Sequence, residues 1–115
     1  MPRPVTDHVF PSSPSSVDIE CVAESEGART EYSCTSHDGT TSLVFAHQPV
    51  GEALRPGLTD ESLLAVVIDR LRGSQESPLR CREFACALTK LEEAMFWLHA
   101  RTHARQRRGA SPHEA

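Results

Sequence analysis

Four arginines crowd the end of one segment of this chain. In "LEEAMFWLHARTHARQRRG", Leu91 to Gly109, they are Arg101, Arg105, Arg107 and Arg108. Arg101, Arg105 and Arg108 are spaced four and three, so on a helix they share a face. A guanidinium is suited to phosphate, because its planar donors match phosphate oxygens in pairs. The row continues from an apolar one, so a cationic rim meets an apolar floor. That combination suits a nucleotide: a flat base for the floor, a diphosphate for the forks. The same residues also complement the dipole at a helix C-terminus, worth about 0.3–1 kcal/mol each. Arg107 is assigned to that second role. His99 and His103 are also four apart, but no third ligand stands near them in sequence, so no metal is expected.

Catalysis finds little support. No Ser or Cys has a nucleophile context, and no Gly-rich phosphate loop occurs. Glu92 and Glu93 diverge by about 100° on a helix and cannot work as a pair. They are expected to be solvated, or paired with Arg or Lys one turn away. The expectation is a binding protein rather than an enzyme, with no cofactor.

The elements that must position these arginines can be read from the rest of the chain. Its 115 residues carry a net charge of −4. Met1 to Val66 holds 3 Arg against 10 acidic residues, −7, while Val67 to Ala115 holds 9 basic against 6 acidic, +3. An overall acidic chain is a poor binder of nucleic-acid polymers. The polarity between halves points instead to self-association or to a localised anion site. Aromatic residues make up only 5%, and so small a core is often completed by oligomerising.

Cys21, Cys34, Cys81 and Cys86 form no CxxC and no zinc-ligand spacing, and read as reduced, apolar residues of a cytoplasmic protein. "MPRPVTDHVF" has no apolar signal core, and "LLAVVI" is too short to span a bilayer, so no membrane partner is expected.

Residues 1–16, rich in Pro and Ser, read as a flexible leader. Residues 17–115 read as one α+β domain, with a small antiparallel sheet over 17–50 and a two-helix hairpin over 59–108. "VDIECVAE" alternates, with Val17, Ile19, Cys21 and Ala23 on one side. "TEYSCTSH" and "TSLVFAHQ" follow as strands, joined by a turn at Asp38–Gly39. Cys21 and Cys34 could sit opposite each other. After "PVGEALRPG", Thr59 reads as an N-cap. Leu63, Leu64, Val67, Ile68 and Leu71 recur at helical spacing, and Gly73 ends the helix. Ser77 and Pro78 read as the start of the second helix. In that helix Phe84, Leu88, Leu91, Met95 and Leu98 are spaced 4, 3, 4, 3, extended back by Cys81 and forward by Thr102. Phe96 and Trp97 lie off this seam as a second apolar face. A helix apolar on two sides needs two partners, so a homodimer through the hairpin is expected.

The words "VIDRLR", "ALTKLEEAM.WL" and "RT..R..RG", in this order, resemble the bacteriophage Thoeris anti-defence sponges. These share a helical hairpin with phage sponges acting against cyclic-oligonucleotide (CBASS) signalling. The likeness covers roughly Asp38 to Gly109, and "DGTTSLVF" is similar to the family's last strands. The resemblance implies an N-terminal sheet, a C-terminal hairpin and a dimer able to assemble further, up to a hexamer. It also implies non-destructive capture of a nucleotide second messenger, of the cyclic ADP-ribose isomer class, in the bacterial host cytoplasm. The family's phosphate-contacting arginines fall on Arg101 and Arg105, and the same motif takes in Thr102, Arg108 and Gly109. Two family contact positions differ. Ser74 stands where an aromatic residue usually stacks on the base, and Phe84 where Asn is usual. Phe84 is an alternative platform, although its place in the seam favours a core role. The family's "GPF" reads Ser77–Pro78–Leu79, and the tail is only "RGASPHEA". The competing readings are a sponge for CBASS cyclic oligonucleotides, a non-catalytic hairpin dimerisation protein, and a small DNA-binding regulator.

Overall fold

A computed structural model describes residues 2–10 and 16–109. The chain divides into two compact units, Met1–Leu58 and Thr59–Ala115, where one domain over 17–115 is expected from sequence.

The first unit is a four-stranded antiparallel sheet in the order β1-β2-β3-β4. Its strands are β1 (Arg3–Val5), β2 (Asp18–Ser25), β3 (Ala28–Ser36) and β4 (Gly39–Val44). The last three correspond to the three expected strands. β1 corrects the leader reading for those residues: Arg3 opposes Cys21 and Val5 opposes Ile19. Pro4 is tolerated there because an edge strand can spare an N–H. Residues 11–15 of the expected leader lie outside the described residues. In β2, Ile19, Cys21 and Ala23 are covered while Asp18, Glu20 and Glu24 are exposed, the expected alternation. Cys34 opposes Ile19, and Cys21 opposes Tyr32, so the two cysteines share a face without being direct partners. All four thiols are free.

Two turns carry local chemistry. Between β2 and β3, Glu26 and Gly27 both have positive φ, 53° and 86°, as a two-residue hairpin requires. The Glu26 carboxylate accepts the Val50 N–H at 3.1 and 3.3 Å, tying this turn to the segment that leaves β4. Between β3 and β4 the loop is His37–Asp38, one residue earlier than expected. Gly39 already pairs with Ser36 as the first residue of β4. Beyond β4, Phe45 bridges Leu58 in parallel and His47 bridges Arg55. Gly57 permits that closeness, since a Cβ there would lie 2.5 Å from the Val44 carbonyl oxygen.

The second unit is an antiparallel helical hairpin of α1 (Asp60–Gln75) and α2 (Arg82–Arg107). Thr59 caps α1 as expected. Its Oγ1 accepts the Ser62 N–H at 3.0 Å, and the Ser62 Oγ accepts the Thr59 N–H at 2.9 Å. This reciprocal box uses Ser where Glu or Gln is usual. α1 runs through Gly73, expected as its end, to Gln75. Glu76 closes it by donating to the carbonyls of Arg72 and Gly73.

α2 begins later than Ser77 and Pro78 suggest. The Ser77 Oγ does accept the Leu79 N–H at 3.1 Å, and Arg80 donates to the Ser77 carbonyl. That single turn does not propagate, because Cys81 is extended, at φ −158° and ψ 164°. The Gln75 Oε1 accepts the Cys81 N–H at 3.0 Å, so a side chain from α1 serves the start of α2.

Among the described residues the buried apolar side chains are few: Cys21 and Pro49 in the first unit and Ile68 in the hairpin. Each unit alone has a thin core, as the sparse aromatic content implies.

Candidate functional site

The seam of α2 is the scaffold for the arginine end. Cys81, Phe84, Leu88, Leu91, Met95, Leu98 and Thr102 are all half-buried. The next step of the same 3-and-4 rhythm is Arg105, and it is only 3% exposed. Arg105 is therefore a seam residue and not part of an open rim. Arg101 and Arg108 are exposed. Arg101 and Arg105 lie about 40° apart around the helix, and the edge of the buried strip falls between them. The expected single face of three arginines is thus split into one buried and two exposed guanidiniums. Both Arg101 and Arg105 have partners, and a buried cation requires one.

Thr102 is also engaged. Its hydroxyl donates to the Glu61 Oε2 at 3.3 Å, which brings a carboxylate from the first turn of α1 to the arginine end. Glu61 complements the α1 dipole, as its place predicts, but its reach to Thr102 had no local signal. The two residues are 41 positions apart and meet only through the hairpin. Glu92 is similar. It pairs with Arg72 at 2.9 Å across the hairpin, not with a residue one turn away on its own helix.

Gly109 has φ 78° and follows the C-cap Arg108. Its N–H donates to the Gln106 carbonyl at 2.9 Å. That is the left-handed stop that ends many helices, and it accounts for the glycine without a ligand.

Ser74 and Phe84 sit at the other end of the hairpin. The Ser74 hydroxyl donates to the Arg70 carbonyl at 3.2 Å, within the last turn of α1. Phe84 occupies the seam and is half-buried, the core role favoured from its spacing. From Phe84 to Arg101 the helix rises about 26 Å, and to Arg105 about 32 Å. Within one copy the structure brings Arg101, Thr102, Arg105 and Arg108 together at one end. It leaves Ser74 and Phe84 at the opposite end, beyond the reach of one small nucleotide.

Three further observations bear on binding. Phe96 and Trp97 are 64% and 65% exposed and pack edge to face, centroids 5.6 Å apart. Among the described residues, no group of three His, Cys, Asp or Glu side chains is placed to hold a metal ion. No helix among them is long and apolar enough to cross a membrane.

Comparison with known proteins bears on the same elements. The model of the family described as "Acb2/Tad1, hairpin domain" matches residues 42–103, which takes in the end of β4, the connection, α1 and most of α2. The chain is also 51% identical over 65 residues to "Thoeris anti-defense 1" of Bacillus phage SBSphiJ7. That stretch is 56% of this chain and 46% of the relative, so it spans less than half of the relative's length.

Proposed function

The chain belongs to the Acb2/Tad1 hairpin-domain family, and from that membership we propose that it is a phage inhibitor of host defence that acts by capture. It binds a nucleotide second messenger of the cyclic ADP-ribose isomer class and holds it without cleaving it. The observation that carries this reading is the arginine end of α2. There an exposed Arg101 stands beside a seam that closes on a buried Arg105. The exposed guanidinium of Arg101 can meet a pyrophosphate, and the buried Arg105 fixes the helix end that presents it.

The site is proposed to form between copies. Ser74 and Phe84 can share a ligand with the arginines only if a second hairpin lies antiparallel to the first, its turn end beside the arginine end. The thin core and the exposed ring of Phe96 support such self-association. A dimer is the smallest assembly that satisfies this geometry.

Isothermal titration with glycocyclic ADP-ribose isomers and with cyclic di- and trinucleotides tests the reading. Heat with an ADP-ribose isomer is expected. Heat with cyclic oligonucleotides alone would move the assignment to that ligand class. Silence with every compound would overturn capture altogether, and would leave the hairpin as a dimerisation module.

A further inference from the structure

We infer that Trp97 is the base-stacking residue of this chain's nucleotide site, working with Arg101 on one flank of α2. The inference rests on the capture reading above and adds the aromatic contact that reading lacks. A base-binding site needs a flat apolar surface, yet Ser74 offers none. Phe84, Tyr32 and Phe45 are half-buried, the last two packed against each other at 5.8 Å. Among the described residues only Phe10, Phe96 and Trp97 present mostly exposed rings. Phe10 belongs to the sheet unit. Phe96 lies about 140° from Arg101 around α2, whereas Trp97 lies about 40° from it.

Trp97 and Arg101 are four residues apart, so their Cβ atoms are neighbours at about 5–6 Å. Arg108, seven positions after Arg101, extends the flank with positive charge at its C-terminal end, while on the other side of Trp97 the exposed Glu93 stands beside Lys90. An aromatic face with cations on one side is an arrangement that holds nucleotides by stacking and phosphate contact together. Phe96 meets the indole at 78°, which restricts its rotation and leaves at least one indole face uncovered by that contact. The single tryptophan of the chain is thus both held and accessible.

The test compares wild type, Trp97→Ala and Trp97→Phe by isothermal titration. The probes are glycocyclic ADP-ribose, cyclic di-adenylate and, as a base-free probe, inorganic pyrophosphate. Assembly size is followed by light scattering. The expected result is that Trp97→Ala weakens the nucleotide by about 5- to 150-fold, the usual range for losing one stacked base. Trp97→Phe stays within a few-fold, and pyrophosphate affinity and assembly size do not change. Wild-type tryptophan fluorescence should respond to the nucleotide and not to pyrophosphate. Unchanged nucleotide affinity in Trp97→Ala would overturn the inference and leave capture standing. Equal loss of nucleotide and pyrophosphate, or a changed assembly size, would make Trp97 structural and overturn it too. If wild type binds neither nucleotide, capture fails and the inference falls with it.

Discussion

Arg101 and Arg105 look equivalent in the sequence, but the structure assigns them different work, and alanine substitutions should separate the two roles. Arg101 is exposed, so Arg101→Ala should change folding stability by no more than about 0.5 kcal/mol. It removes a charge-assisted hydrogen bond to ligand, worth about 1.5–3 kcal/mol. At 1.4 kcal/mol per tenfold, affinity should fall roughly 10- to 150-fold. Arg105 is 3% exposed. Arg105→Ala leaves a void and a polar neighbour without its partner, costing about 2–4 kcal/mol. For a unit of this size each kcal/mol moves the melting temperature by about 4–8 °C. The Arg105→Ala melt should therefore drop by at least about 8 °C, and the Arg101→Ala melt by a few degrees at most. Circular-dichroism melts and low-salt titrations on the same samples measure both quantities. If Arg101→Ala is the less stable variant, or if it binds nucleotide as wild type does, the division of labour is refuted.

Three other substitutions probe the scaffold and its charge. Gly57→Ala should cost about 1–3 kcal/mol, read by urea melts, because its Cβ would press on the Val44 carbonyl and the Ala46 nitrogen. Gly73→Ala should instead stabilise the hairpin by about 0.4–1 kcal/mol, since the position is helical and a Cβ meets nothing within 4 Å; a lower melting temperature would contradict this. Glu61→Gln keeps an acceptor for Thr102 while removing a negative charge from the arginine end. At roughly 10 Å in a water-like dielectric that charge costs an anion about 0.4 kcal/mol, so nucleotide affinity should rise about twofold; a fall in affinity would make Glu61 a ligand contact.

Much of this arrangement can be read from sequence, because periodicity reports burial directly. The 3-and-4 rhythm from Cys81 to Thr102 locates the inner face of α2, and Thr59 marks the start of α1. The same rhythm also contains the burial of Arg105 as its next step, but a charged residue type disguises a seam position. Other features depend on contacts that local patterns do not carry. β1 is a short strand with a proline at its centre, held by pairing to β2 rather than by its own propensity. Ser77 does form a capping turn, and the chain then breaks at Cys81 because it must reverse direction before α2. The Glu61–Thr102 and Arg72–Glu92 contacts require the hairpin register, which no single segment encodes. The distance between Ser74 or Phe84 and the arginines likewise becomes decisive only once both are placed on one straight helical hairpin.

The central claim is retention of an intact nucleotide, and one measurement addresses it directly. Purified protein is mixed with glycocyclic ADP-ribose, freed of unbound ligand and boiled, and the released small molecules are weighed by mass spectrometry. Capture predicts recovery of the original mass in near-stoichiometric amount from wild type, with much less from Arg101→Ala. Absence of retained nucleotide, or recovery of a cleaved product, would contradict it.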